Sequence, residues 1–209
     1  MRIRQHVNPL RTEYQRRRSF ALELPEGREV ELEIGCADAQ FLFERAAQDS
    51  QRIQVGIEIR EELVRAVNAQ AAARGVEVRA LFSNVNVDLD GMFPPGRLAR
   101  CFVNFPDPWF KTRQKKRRVV DDELIAAIAR AVREGGELFF QSDIFELALE
   151  AMDAIETRDD LFENAAGPWS FWRAANPYGV RSRREEQCEG AGSPIWRILY
   201  YRRDQRVVA

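Results

Sequence analysis

Segments with strand and helix patterns alternate about five times along the chain, and this order constrains the fold most. Residues 30–34 alternate apolar and acidic side chains as a strand does, and residues 39–48 have helical spacing. Further strands are predicted at residues 53–59, 76–82, 98–105, 137–141 and 195–201, and further helices at 61–74, from Asp121 or Asp122 to about 133, and at 144–157. The alternation predicts an α/β fold with a mostly parallel, doubly wound sheet.

The remaining segments set the domain boundaries. At 209 residues with 45% hydrophobic content, the chain is long enough for one domain with a substantial core. We expect a basic N-terminal arm at residues 1–20 and a single domain at residues 21–209. Residues 91–96 are turn material, and residues 160–194 look like an elaborated connection whose Trp169, Phe171 and Trp172 we expect in its core.

Cysteine and histidine usage narrows the class of protein. The three cysteines show no Cys-x-x-Cys spacing and there is one histidine, so neither a disulfide framework nor a metal site is expected. No run approaches the roughly 18 apolar residues that a membrane span needs. We therefore expect a reduced, cytoplasmic protein, monomeric or homodimeric. The net charge of −1 indicates no partner, but basic clusters at residues 11–18, 111–118, 181–184 and 202–206 favour a polyanion.

Acids at strand ends suggest a nucleoside pocket. Glu33 and Gly35 end the first strand and Glu58 ends the second, where an acid can accept both hydroxyls of a ribose. Asn84 follows the third strand and could bond an adenine edge. The turn at residues 35–39 lacks the glycines that a dinucleotide pyrophosphate requires, which favours S-adenosylmethionine. The alternative is that both glutamates are surface charges at strand ends.

The fourth strand runs into Asn-Phe-Pro-Asp-Pro-Trp-Phe-Lys at residues 104–111. Two prolines restrict the backbone around Asp107, whose carboxylate can accept hydrogen bonds from guanine or from a cofactor amino group. Trp109 offers a stacking face. Lys115, Lys116, Arg117 and Arg118 form a patch that could hold phosphates. The alternative is a proline-rich turn with a core Trp and a solvated charge run.

These motifs resemble the bacterial tRNA (guanine-N7)-methyltransferases. The resemblance covers nearly the whole chain: the arm at residues 4–10, Glu-Ile-Gly at 33–35, Gly-Ile-Glu at 56–58, Asn-Phe-Pro-Asp-Pro-Trp at 104–109, Gln-Ser-Asp at 141–143, Ser-x-x-Glu at 182–185 and the closing strand from 193. It implies a Rossmann-like S-adenosylmethionine-dependent fold with an antiparallel last strand, and methyl transfer to a guanine of tRNA, in the variable loop.

The resemblance also implies site residues. Cofactor contacts fall on Glu33, Gly35, Glu58, Asn84 and Asp107, and Asp107 is the catalytic candidate. Substrate contacts fall on Lys111, Asp143, Ser182 and Glu185. Asp143 and Glu185 would otherwise be interpreted as helix-cap or surface acids.

Some positions depart from the family pattern. Glycines are usual where the chain has Ala37 and Ala39, and Asn84 replaces an Asp. Two other function classes therefore stay open from sequence: a methyltransferase of this fold acting on another RNA or a small molecule, and a non-catalytic RNA-binding relative that has lost the cofactor.

Overall fold

The computed structural model describes residues 7–15, 22–109 and 118–204. Within them the elements are, in chain order, β1 (Val30–Ile34), α1 (Gln40–Gln48), β2 (Ile53–Glu58), α2 (Glu61–Arg74), β3 (Val78–Phe82), α3 (Val85–Met92), β4 (Leu98–Asn104), α4 (Asp122–Ala131), β5 (Val132–Ser142), α5 (Phe145–Glu156), β6 (Phe162–Asn164), α6 (Arg183–Gly190) and β7 (Trp196–Arg202). A short 3₁₀ helix, Thr12–Tyr14, precedes them.

The strands form one sheet in the order β3-β2-β1-β4-β5-β7-β6. The pairs among β1 to β5 are parallel, whereas β7 runs antiparallel to both β5 and β6. The predicted fold class, including the antiparallel last strand, is confirmed. Strand order reverses between β1 and β4, so a crevice is expected at their carboxyl ends.

Both faces of the sheet are covered by helices, which explains why the acids of β1 are buried. Val30, Leu32 and Ile34 enter one apolar core, and the intervening Glu31 faces the other side of the sheet at 0% exposure. Burial by itself would raise the pKa of Glu31, but hydrogen bonds and charge from Arg45, with further bonds from Gln54 and Arg100, lower it. The alternating pattern therefore marks two buried faces.

Two helix ends carry the residue types that usually stand there. Asp121 caps α4, accepting a hydrogen bond from the backbone nitrogen of Leu124 at 2.8 Å. Gly75 ends α2 with φ of +63°.

The predicted boundary between the helix ending at about residue 133 and the strand beginning at residue 137 was wrong. The helix stops at Ala131, and the glycine pair at residues 135–136 lies within β5, where the register to β4 shifts. A Cβ on Gly136 would lie 2.8 Å from the carbonyl oxygen of Ala99, so this irregularity requires glycine.

Three short elements escaped prediction. Helix α3 extends to Met92, into the segment expected to be turn, and β6 and α6 lie inside the connection at residues 160–194. Trp169 was expected in the core and is 55% exposed, whereas Phe171 and Trp172 are partly buried and pack against the two cores. Elements this short give weak periodicity.

Candidate active site

A cavity of about 550 Å³ lies where strand order reverses. Its walls come from the carboxyl ends of β1, β2, β3 and β4 and from the loops that follow these strands. Glu33, Gly35, Glu58, Asn84 and Asp107, the residues predicted to bind the cofactor, all line it. The fold thus brings together residues from four separate strand ends.

Glu33 is buried at the floor of this cavity. It is 3% exposed, and its Oε1 accepts a hydrogen bond from Nδ2 of Asn104 at 2.8 Å. Among the described residues, its Oε2 has no hydrogen-bond partner. Burial raises its pKa to about 8, against the opposing effect of the Asn104 bond. A cationic group beside Oε2 would offset the cost of burying the ionised carboxylate, so the site suits a ligand with a positively charged end.

Glu58 is also buried, at 3% exposure. Its Oε2 accepts a hydrogen bond from the backbone nitrogen of Ala37 at 3.0 Å, which ties the turn after β1 to the end of β2. Arg60 donates to both oxygens, from Nε to Oε1 at 2.9 Å and from Nη2 to Oε2 at 2.8 Å. The surface-charge alternative for Glu33 and Glu58 is therefore wrong.

The turn after β1 contains two residues in the left-handed region, Ala37 with φ of 49° and Ala39 with φ of 57°. Backbone nitrogens of Gly35 and Cys36 donate to the carbonyl of Ile57 at 2.8 and 3.2 Å. The turn needs the conformation that glycine adopts most easily, yet the chain places alanine at two of its positions. The geometry survives the substitutions at a cost in backbone strain.

Asn84 lies at the end of β3 and caps α3. Its Oδ1 accepts a hydrogen bond from the backbone nitrogen of Asn86 at 3.3 Å, and its Nδ2 donates to the carbonyl of Pro9 at 3.4 Å. Pro9 and Val7 line the cavity as well, so the N-terminal segment reaches the site. Residues 1–6 and 16–21, the rest of the predicted arm and its boundary, lie outside the described residues.

Asp107 and Trp109 line the cavity from the loop that follows β4, and the backbone of this loop is strained. Phe105 and Trp109 have φ of 49° and 42°, unusual for aromatic residues and typical of functional loops. Asp107 is half-buried, and its charge raises the pKa of Arg60 after the larger effect of Glu58. The loop therefore presents one acid to the cavity from a constrained backbone.

Arg118 holds this loop from behind. Its Nε donates to the carbonyl of Pro108 at 2.8 Å, and its guanidinium forms an ion pair with Glu150 of α5. Its side chain is 12% exposed. Both contacts keep the guanidinium of Arg118 against the protein, and its assignment to the phosphate patch stays a prediction. Lys111, Lys115, Lys116 and Arg117 lie outside the described residues.

Helix α6 supplies the predicted substrate side. Ser182 caps it, with Oγ accepting from the backbone nitrogen of Glu185 at 3.3 Å, and lines the cavity with Arg183 and Arg184. Arg183 donates to Asp38 at 2.7 Å, and Arg184 donates to Asp143 at 2.5 Å. Asp143 therefore lies beside the cavity rim, paired with a residue that lines it.

Glu185 lies behind the cavity wall. It is 0% exposed and accepts hydrogen bonds from Gln141 at 2.9 Å, Asn176 at 2.9 Å and Arg197 at 2.8 Å. It is neither a surface acid nor a residue that reaches the cavity. Sequence reasoning missed its partners, and it missed Arg60, whose position two residues after Glu58 was the available signal.

Other features of the described residues bear on the class of site. No cluster of His, Cys, Asp and Glu suited to a metal ion occurs in residues 7–15, 22–109 and 118–204. In the same ranges no helix has the length and apolarity that would cross a membrane. The three cysteines are free and buried.

Comparisons with known proteins place the chain in a family. Residues 27–198 match the family model described as "Putative methyltransferase". A tRNA (guanine-N(7)-)-methyltransferase of Synechococcus sp. (strain WH7803) is 39% identical over 215 residues, 97% of this chain and 89% of the relative. One from Synechocystis sp. (strain ATCC 27184 / PCC 6803 / Kazusa) is 37% identical over 213 residues, covering 97% of this chain and 98% of that protein.

Solved structures support the fold. The antibiotic-resistance methyltransferase Kmr aligns with a TM-score of 0.59 at 17% identity, over 86% of this chain and 89% of that one. An rRNA methylase from Streptococcus thermophilus aligns with a TM-score of 0.54 at 10% identity, over 85% and 88% of the two chains. At these identities the likeness concerns architecture alone.

Proposed function

Because the chain belongs to the family of tRNA (guanine-N7)-methyltransferases, we propose that the cavity at the strand ends is its active site. The chain is an S-adenosylmethionine-dependent enzyme that methylates N7 of a guanine in tRNA. Our proposal adds that this guanine lies in the variable loop and that the enzyme acts in the cytoplasm, as a monomer or homodimer. The observation that carries the assignment of the site is the buried Oε2 of Glu33, which has no hydrogen-bond partner in the part of the chain that the structure describes; Glu33 lines the same cavity as Asp107.

The residues present fit the cofactor. Glu33 would hold its cationic amino end, Glu58 its ribose hydroxyls and Asn84 its adenine, with Gly35 in the turn beside them. S-adenosylmethionine supplies an electrophilic methyl group on a sulfonium sulfur. Arg60 has to share or release Glu58 before the ribose hydroxyls can donate to it.

Guanine N7 carries an in-plane lone pair, so it can attack a methyl group without first losing a proton. The site then has to align the two reactants and stabilise the charge that develops on the guanine ring. We assign to Asp107 the acceptance of hydrogen bonds from guanine and cofactor together, which is supported by its place in the cavity lining and by the strained backbone at Phe105 and Trp109. Trp109, on the same loop, offers its ring to a base.

On the substrate side, Ser182 lines the cavity with Arg183 and Arg184, and Asp143 accepts a hydrogen bond from Arg184. We assign guanine-side contacts to Ser182, Asp143 and Lys111. Glu185 serves the same side indirectly, since it belongs to the first turn of α6 and its side chain is buried. Lys115, Lys116 and Arg117 remain proposed phosphate contacts, which position a tRNA without specifying its sequence.

The reaction can be tested directly. Purified protein is incubated with labelled S-adenosylmethionine and unmodified tRNA transcript, and the product is cleaved with borohydride and aniline at 7-methylguanosine. One cut at the variable-loop guanine is the expected result. A cut elsewhere would reject the loop assignment, and label without any cut would move the acceptor atom away from N7.

The site can be tested with Asp107→Ala. We expect kcat to fall by about 10²–10³-fold, as for the loss of one aligned polar contact in a transition state, with thermal stability unchanged. Asp90→Ala is the control, because Asp90 is an exposed acid that pairs with Arg130 on the surface. Near-normal turnover of Asp107→Ala would reject its role.

A further inference from the structure

A chain of buried amide and carboxyl groups runs from the cofactor side of the cavity to α6. Asn104, at the end of β4, donates from Nδ2 to Oε1 of Glu33 at 2.8 Å. Gln141, on β5, donates from Nε2 both to Oδ1 of Asn104 at 3.0 Å and to Oε2 of Glu185 at 2.9 Å. Gln141 is 0% exposed and Asn104 is 8% exposed, so water competes little for these bonds.

Arg197 lies at the α6 end of this series of hydrogen bonds and sets the donor and acceptor direction of every bond in it. Arg197, on β7, donates from Nε to Oε1 of Gln141 at 3.1 Å and from Nη2 to Oε1 of Glu185 at 2.8 Å. A guanidinium can only donate, so the oxygen of Gln141 must face Arg197 and its nitrogen must face Asn104. Asn104 then has its oxygen toward Gln141 and its own nitrogen toward Glu33.

The orientation of Asn104 matters for the charge on Glu33. A reversed amide would place Oδ1 of Asn104 against the carboxylate, an arrangement of two acceptors that only a protonated Glu33 tolerates. Burial already raises the pKa of Glu33 to about 8, and the bond from Asn104 opposes that rise. If Asn104 lost this orientation, the ionised fraction of Glu33, whose carboxyl group faces the cavity, would therefore fall.

We propose that Gln141 is a positioning residue, which keeps the amide nitrogen of Asn104 on Glu33 and, through Glu185, ties the cofactor side of the cavity to the first turn of α6. The inference rests on the proposed function in that Glu33 is taken to hold the cationic end of S-adenosylmethionine. Ser182, the cap of α6, lines the cavity and bonds to the backbone of Glu185. Gln141 thus contacts both Asn104, which bonds to Glu33 on the cofactor side, and Glu185, which belongs to the helix on the tRNA side.

Two variants separate the polarity of Gln141 from its volume. Gln141→Glu keeps the shape but, ionised beside Arg197, has no hydrogen to donate, so Asn104 should turn its nitrogen away from Glu33. Gln141→Met removes both polar functions at similar size. Gln54→Met is the matched control: Gln54 is also 0% exposed in a central strand and donates to Glu31 at 3.0 Å, and it does not line the cavity.

The first measurement is the dissociation constant for S-adenosylmethionine, by calorimetry without tRNA, from about pH 6 to about pH 9. For the wild type we expect affinity to rise with pH toward about 8, as Glu33 loses its proton. For Gln141→Glu we expect about tenfold weaker binding at neutral pH and a midpoint about one pH unit higher. Gln141→Met should lose about two- to fivefold, and Gln54→Met should keep the wild-type curve.

The second measurement is KM for tRNA at saturating S-adenosylmethionine, which should rise several-fold in both Gln141 variants. A wild-type pH curve in both variants, or an equal loss in Gln54→Met, would overturn the proposal, and an unchanged KM for tRNA would overturn the link to α6. If wild-type protein binds the cofactor with the expected pH dependence but leaves tRNA unmethylated, the proposed function fails and this inference stands.

Discussion

The guanidinium of Arg60 occupies both carboxylate oxygens of Glu58, at 2.9 Å from Oε1 and 2.8 Å from Oε2. These are the oxygens that two ribose hydroxyls would use. Glu58 is 3% exposed, so without ligand the arginine satisfies a carboxylate that would otherwise be buried with few donors. The same contact competes with the ribose hydroxyls for Glu58. The stabilisation of the ligand-free protein and the competition with the cofactor can be measured separately.

For Arg60→Met we expect a lower melting temperature without ligand and a larger rise on adding S-adenosylmethionine. The carboxylate loses its charged donors, which costs about 1–3 kcal/mol, and the ribose hydroxyls then meet no competitor. Thermal unfolding with and without saturating cofactor measures both effects. Arg65→Met is the control, because its pair with Glu61 is exposed. A cofactor-induced rise smaller than that of the wild type would contradict competition.

Glu33 should make stability depend on pH in a defined window. Its pKa is raised to about 8 in the folded protein, against about 4.3 for an ordinary glutamate in the unfolded chain. Between these values the folded state holds a proton that the unfolded chain has released, so stability falls as pH rises through the window.

Glu33→Gln should remove that dependence and weaken cofactor binding. Urea unfolding of both proteins at a series of pH values gives the test, and the difference between them isolates Glu33. We expect the free energy of unfolding of the variant to exceed that of the wild type increasingly toward pH 8. A constant difference across the window would show that Glu33 does not titrate there.

Ala37→Gly should stabilise the protein. Ala37 has φ of 49°, where a Cβ costs about 1–2 kcal/mol and glycine costs little, and part of this gain is offset by the freer unfolded chain. We expect a rise in melting temperature of about 2–4 °C. Gly75→Ala is the control with the opposite substitution, since Gly75 also has a left-handed φ of +63° and has open space around it. No gain in Ala37→Gly would show that the turn is unstrained.

Arg118→Met should reduce methyl transfer about tenfold with little change in cofactor affinity. The variant removes the donor at 2.8 Å from the carbonyl of Pro108 and frees the loop that carries Asp107. Steady-state kinetics and cofactor calorimetry give the comparison. Glu150→Gln should have a much smaller effect, because Glu150 is 42% exposed and its ion pair is screened. Equal losses in the two variants would contradict a role through Pro108.

Sequence alone was enough for the order of the main elements and for the positions of the strand-end residues. Apolar periodicity, the capping Asp121 and the helix-ending Gly75 are local signals, and local signals survive in a linear chain. Parallel strands then bring Glu33, Glu58, Asn84 and Asp107 to one edge of the sheet, which is why the cavity could be predicted from them.

Only the tertiary structure decided which polar groups meet inside the protein. Gln141 joins Asn104 and Glu185, at sequence separations of 37 and 44 residues, and Arg118 turns inward to Pro108 and Glu150. The alternating pattern of β1 likewise does not predict that its acids are buried, because their burial depends on helices that pack on both faces of the sheet. Burial and the partners of buried charges arise from packing between distant segments, and no local period encodes them.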